Sequence, residues 1–207
     1  MARPRSDIAP RIRHAARERF LAQGVDGASL REIARDAHTS IGMVYYYFPT
    51  KEALFVGVVE EVYGRLLVDL EKALAPDVSV EQRVHRVSRR IGSMSEDELT
   101  IIRLVIREAL VSSERRAVLL ERFSRGHLPL MVQMIMEGRA SGSLTDRHHP
   151  FALALSMLGM LVVPQVVRRL GGDAMPIALG VPGGTALADI LADVLLRGIA
   201  GPTPDKT

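Results

Sequence analysis

Residues 29–54 read SLREIARDAHTSIGMVYYYFPTKEAL, and the donors in its second half are of the kind that hold nucleic acid. Tyr45 and Tyr46 offer hydroxyls to phosphates or base edges, and Lys51 offers an ammonium. Two short helical patterns here flank a tight break, which is how a helix-turn-helix reads. Ser40 caps the second pattern, and Ile41, Gly42 and Met43 form the end that lies nearest the bases in such a motif. Gly42 lets the backbone come close. Ile41 and Met43 can touch a thymine methyl but cannot form bidentate hydrogen bonds. Val44 and Phe48 fall on the face that packs against the preceding helices. Tyr45, Tyr46 and Tyr47 sweep about 200° of a helix, so at least one is expected in solvent and available to DNA. Lys51 stands at the start of the next helix, where a cation opposes the dipole; a phosphate partner would explain its placement.

Charge is concentrated around this motif. Residues 1–55 hold nine Arg/Lys and six Asp/Glu, whereas the remainder holds eighteen of each. Arg3, Arg5, Arg11, Arg13, Arg17 and Arg19 face only Asp7 and Glu18. A basic segment beside a groove-sized helix is the electrostatic footprint of a DNA binder, and these arginines are candidates for phosphates or the minor groove.

Enzyme signatures are missing. The chain has no cysteine, and no GxxxxGK[ST], HExxH or GxSxG pattern. GVPGG lacks the strand–turn–helix context of a phosphate loop. Catalysis, a cofactor and a catalytic residue are therefore not expected. His148-His149 beside Pro150 reads as loop, so no metal is expected either. The absence of cysteine suits a reducing cytoplasm. The basic N-terminus has no apolar h-region and does not read as a signal peptide. The longest apolar run, Phe151 to Val163, is shorter than the roughly 20 residues of a membrane span and is expected to be a buried helix.

With 47% apolar residues in 207, the chain can build a sizeable core. Helical periodicity runs throughout, so the expected class is all-α with about nine helices. They fall at about 7–23, 29–37, 41–47, 51–74, 79–92, 96–111, 114–138, 150–170 and 185–199. Gly24 should stop the first, and Ser29 with Glu32 forms a capping box for the second. Thr50 should cap the fourth, and Ser79 with Gln82 the fifth. Leu54, Val58, Val62, Leu66 and Leu70 give the fourth an apolar stripe. A break near Gly126 and Pro129 interrupts the seventh, and Pro164 should kink the eighth. A Gly/Pro-rich loop spans 171–184. Residues 1–50 are expected to form the DNA-binding domain, 51–201 a ligand-binding and dimerisation domain, and 202–207 a disordered tail.

Ala15-Ala16, Phe20, Gly24, Ser29, Ile33-Ala34, Ala37, Ser40, Gly42, Val44-Tyr45, Tyr47-Phe48, Lys51-Glu52 and Leu54 together resemble the N-terminal domain of TetR-family transcriptional regulators. The resemblance covers about residues 8–55. It implies a homodimer paired through the eighth and ninth helices, a DNA-binding head, and an unidentified small-molecule effector held by helices four to seven. Such proteins usually repress from a palindromic operator and release it when the effector binds. By position, the resemblance places Arg31 at a base contact and Ser29, Tyr45 and Lys51 at phosphates. Tyr46 and Tyr47 match further groove or backbone contacts. Two departures stand out: His38 occupies the usual glycine of the turn, and the recognition helix lacks Gln, Asn, Arg and Lys. Base reading then falls to Arg31, the tyrosines, methyl contacts and DNA shape.

For the effector, Met131, Met134, Met157 and Met160 are candidates to line an adaptable apolar pocket, against their ordinary reading as core. Arg103 and Arg107, one turn apart, are candidates to clamp an acidic ligand, against a solvated stripe. The competing functional class is a small-molecule or partner-binding helical module whose helix-turn-helix is only scaffold.

Overall fold

A computed structural model describes residues 7–171 and 182–199, and every regular element in them is an α-helix. They are α1 (Ile8–Gly27), α2 (Leu30–Asp36), α3 (Ile41–Tyr47), α4 (Lys51–Leu74), α5 (Val80–Gly92), α6 (Glu96–Val111), α7 (Ser113–Ser124), α8 (His127–Ala140), α9 (Pro150–Gly171) and α10 (Gly184–Ile199). The tail at 202–207, Arg3, Arg5 and most of the loop at 171–184 lie outside the described residues.

The expected seventh helix is two. α7 ends at Ser124, the chain breaks at Gly126 (φ −117°, ψ −118°), and α8 begins at His127. Pro129 is thus in a first turn, where its missing N–H costs nothing. Gly24 does interrupt α1, at φ +77°, but the chain coils on to Gly27. Ser40, Thr50 and Ser79 accept from the backbone N–H of Met43 (3.2 Å), Ala53 (2.9 Å) and Gln82 (3.2 Å), as their cap positions require. Ser29 makes no such bond, so the expected capping box at α2 is absent. Its intended partner, Glu32, is taken by Arg19 at 2.9 Å. A box not anticipated closes at α6, where Ser95 Oγ accepts from Glu98 N (3.2 Å) and Glu98 Oε2 accepts from Ser95 N (2.8 Å).

The chain divides into two compact units, residues up to Arg65 with Thr100–Glu121, and Leu66–Leu99 with Arg122 onward. α4, α6 and α7 each have residues in both. In the first unit, Ile12, Ala16, Phe20, Ile33, Val44, Leu54 and Phe55 are buried, and the Phe20 and Phe55 rings meet edge to face at 6.4 Å. α1, α2 and α3 pack on one another around them.

In the second unit α5 packs closely on α10. A Cβ on Gly92 would lie 2.4 Å from the Gly184 carbonyl oxygen, so only glycine permits this approach. Ser88 Oγ donates to Ala188 O at 2.5 Å, and Arg89 pairs with Asp189 at 2.7 Å. Buried Arg83 reaches Glu137 of α8 at 2.6 Å. The apolar run at 151–163 forms part of α9, but that helix is buried on one side only, contrary to expectation. Phe151, Leu155, Val163 and Val167 are 41–51% exposed. Long and apolar enough by composition to qualify as a span, α9 nonetheless carries fully buried Gln165, whose amide donates to Gly184 O at 2.9 Å.

Candidate nucleic-acid interface

The helix-turn-helix is built in the first unit. α2 ends in a Schellman turn: His38 N donates to Arg35 O (3.0 Å) and Thr39 N to Ala34 O (2.9 Å). That pattern needs a left-handed residue just past the helix, and His38 supplies it at φ +50°. It is a non-glycine residue at positive φ, which costs about 1 kcal/mol or more. Ser40 then starts α3, whose Val44 is fully buried. Val44 is the nail that holds α3 to the head.

Burying Val44 turns the opposite side of α3 outward. Tyr45 and Tyr46 are 51% and 76% exposed, and Gly42 and Ser40 are exposed beside them. Tyr47 is half-buried, its ring edge-on to Tyr46 at 5.1 Å, as three successive tyrosines on a helix must divide. Ile41 and Met43 are half-buried at the N-terminal end. Arg31 is exposed on α2, and Ser29 is half-buried at its start. The exposed set is therefore two phenols, a hydroxyl, a glycine and one guanidinium.

Lys51 has a partner within the chain: its Nζ donates to Asp26 O at 2.9 Å. The position of this cation thus has an explanation without DNA. An ammonium has three donors, so phosphate can still be met by the others. The N-terminal arginines are committed more fully than their sequence suggests. Arg13 pairs with Glu61 at 2.7 Å, and Arg19 with Glu32 (2.9 Å) and Asp36 (2.7 Å). Arg19 accordingly holds the Asp36 carboxyl below its ordinary value. Arg11 donates to Ala37 O at 2.7 Å and His38 O at 3.4 Å.

A buried ionic network lies under the kink of α1, and no motif or period in the sequence announces it. Arg115, 4% exposed, grips Asp26 through both terminal nitrogens (2.9 and 2.7 Å). Its Nε faces Glu108 Oε2 at 3.0 Å, an ion contact off the line of a hydrogen bond. The bond from Arg115 holds the Asp26 carboxyl well below its usual range. Glu108, 3% exposed, accepts from Val25 N at 3.4 Å and from Arg107 Nε at 3.1 Å. The remaining Arg107 donors go to the carbonyls of Phe20 and Leu21. Adjacent Arg and Glu at 107–108 are visible in the sequence, but pairing across more than eighty residues leaves no periodic mark.

The other effector candidates scatter. Arg103 is exposed and, like Arg107, lies in the first unit. Met131, Met134 and Met157 fill the core of the second at 2%, 0% and 0% exposure. Met160 lines an open groove of about 540 Å³ with His148, His149, Ser156 and Val194.

The comparisons agree with this geometry. Residues 12–58 match the family model for bacterial regulatory proteins of the tetR family. The uncharacterized HTH-type transcriptional regulator TtgW of Pseudomonas putida is 39% identical over 72 residues, 35% of this chain; the match spans only 51% of that protein. The transcriptional regulator FadR from Bacillus subtilis, solved in complex with stearoyl-CoA, shares the fold at a TM-score of 0.74 and 19% identity, over 92% of this chain and 98% of that one. The fatty acid degradation regulator FadR from Bacillus halodurans does so at 0.74 and 20%, over 96% and 98%. The ketosteroid transcriptional regulator KstR2 of Mycobacterium tuberculosis follows at 0.66 and 15%, over 97% of each chain. These likenesses in fold cover 92–97% of the chain, and the residues matched by the family model take in all of α2 and α3 with the buried anchors Ile33 and Val44. Through residues 12–58, which hold the helix-turn-helix, the chain is similar to the bacterial regulatory proteins of the tetR family.

Proposed function

We propose that this chain is a dimeric transcriptional regulator that represses from a palindromic operator and releases it when a small molecule binds. The observation that carries the reading is α3: pinned by Val44, capped by Ser40, and presenting Gly42, Tyr45 and Tyr46 to solvent. Tyr45 and Lys51 meet phosphates, Arg31 reaches a base edge, and Ile41 and Met43 supply methyl contacts. Ser29, Ser40, Tyr46 and Tyr47 complete the surface. Replacing Lys51 by Ala should weaken binding to every duplex alike. It should also lower the slope of log affinity against log salt by about 0.9 per protomer. An unchanged slope would remove the phosphate role and leave Lys51 as a tie to Asp26.

The second copy docks on α9 and α10. Phe151, Leu155, Val163 and Val167 recur every four residues on α9, and Gly159 continues the row with open space before it. Ile190 and Val194 of α10 are 48% and 51% exposed. A continuous apolar stripe of this size fits a two-fold partner. Light scattering at micromolar concentration should give a dimer, and Leu155→Glu a folded monomer by circular dichroism. A monomeric wild type would defeat this interface.

The effector is the least specified element. A relative by fold was solved with stearoyl-CoA, so compounds with long apolar tails are the first to screen. Because coupling is reciprocal, an effector must lose affinity in the presence of operator by the factor by which it weakens DNA binding.

A further inference from the structure

The strained turn of the helix-turn-helix is clamped from α1. His38 sits at φ +50° in the place where a Schellman turn ordinarily uses glycine. The carbonyls of Ala37 and His38 project from the end of α2. Arg11 Nη1 donates to the first at 2.7 Å and to the second at 3.4 Å. The guanidinium is itself oriented by Asp7, whose main-chain oxygen and carboxylate each lie 3.3 Å from Arg11 Nε. Only 22% of the Arg11 side chain is exposed. A cation on the carbonyl end of a short helix is also favoured by the helix dipole.

We infer that Arg11 is a positioning residue for the recognition helix: it holds the left-handed His38 turn, and so the entry angle of α3, rather than binding phosphate. The inference rests on the DNA-binding reading. Nη1 meets both carbonyls while Nε is held by Asp7, an arrangement on two separate nitrogens that a lysine ammonium cannot reproduce. Glycine at position 38 would hold positive φ at no steric cost and make the clamp dispensable. The two residues therefore form a compensating pair.

The test uses the full-length protein with a duplex that wild type selects from a random pool, and a random duplex as reference. Arg11→Ala should lose about tenfold in affinity for the selected duplex, the worth of one charge-assisted hydrogen bond. Random-duplex binding and the salt slope should stay at wild-type values. Arg11→Lys should fall between. In a His38→Gly background the same Arg11→Ala change should cost less than about threefold, because the turn is already relaxed. Without DNA, amide exchange at His38 and Thr39 should quicken at least about tenfold in Arg11→Ala and not in the double variant.

Three results would overturn the clamp. They are equal losses in both backgrounds, unchanged amide exchange at the turn, or a salt slope lowered by about 0.9 per protomer with both duplexes weakened alike. The last would make Arg11 a phosphate contact. Failure of wild type to retain any duplex at low salt would instead overturn the DNA-binding reading. The exchange measurement would then still decide whether Arg11 holds the turn.

Discussion

Replacing Glu108 by Ala is expected to destabilise the protein by about 3 kcal/mol, read as a lower urea midpoint with unchanged slope. The figure is at the low end for breaking a buried pair because Arg115 keeps Asp26. Glu108 is the carboxylate on which three groups converge: Arg115 in ion contact at 3.0 Å, and the N–H donors of Arg107 at 3.1 Å and the Val25 amide at 3.4 Å. Without it, the 4% exposed Arg115 loses its buried counter-charge. The kink after Gly24 also loses a side-chain acceptor. Glu108→Gln keeps the shape and the amide bond but not the charge, and should cost less. Replacing Glu108 and Arg115 together by Leu should recover most of the loss, because removing a buried pair whole is far less harmful than orphaning one member. A double variant as unstable as the sum of the singles would show that the network is not the unit described. Since Asp26 also takes Lys51 through its carbonyl, the same change should loosen the start of α4. Amide exchange there provides a local readout.

Acidification from pH 6.5 to pH 4 should remove on the order of 3 kcal/mol of stability through His127. This histidine opens α8, is 9% exposed, and stacks at a tilt on Phe123 at 5.2 Å. Burial, with the charge of Arg122 second, lowers its pKa to about 4 from 6.5. The folded protein therefore resists binding a proton that the unfolded chain accepts. Its contribution is complete above pH 6.5 and falls away as pH drops toward 4. The arginine-paired carboxylates act in a lower window. Asp36, Asp77 and Glu137 are each held below their ordinary values by Arg19, Arg86 and Arg83 respectively. Their contribution is lost only as pH falls through those lowered values. A His127→Gln variant should flatten the stability curve between pH 6.5 and 4 while leaving the steeper loss below it. Equal slopes for wild type and variant in the upper window would contradict the assignment.

How much of this is legible in the sequence follows from the range of each interaction. Ser40, Thr50 and Ser79 serve as caps because a cap bond closes within three residues, inside any local reading. Ser29 and Glu32 have the same local pattern, yet Glu32 turns to Arg19, thirteen residues back, and a local rule cannot weigh that competitor. Helix periods locate α4 and its buried row from Leu54 to Leu70, since burial on one face imposes a period. Periodicity misjudges α9, where an apolar stripe looks the same whether it meets the chain's own core or another surface. His38 is legible as a turn residue in a left-handed conformation, but the arginine that compensates for it sits twenty-seven residues earlier. The localised positive charge reads as a footprint for DNA. In the folded head, Arg11, Arg13 and Arg19 are already bonded to the chain itself. On the proposed reading, electrostatic attraction to DNA would therefore rest on fewer free cations than the count implies, and shape and contacts from Tyr45 and Tyr46 would carry more of the recognition.

The most direct test of the central claim is selection of duplexes from a random pool by the full-length protein, followed by hydroxyl-radical footprinting of the winner. The account predicts a palindrome with two protected half-sites about 10 base pairs apart, or a multiple of that spacing, on one face of the duplex. It predicts that Tyr46→Ala abolishes the enrichment while leaving the protein folded. No enriched sequence, together with no retention of wild type on random duplex at low salt, would contradict it and leave the helix-turn-helix as scaffold.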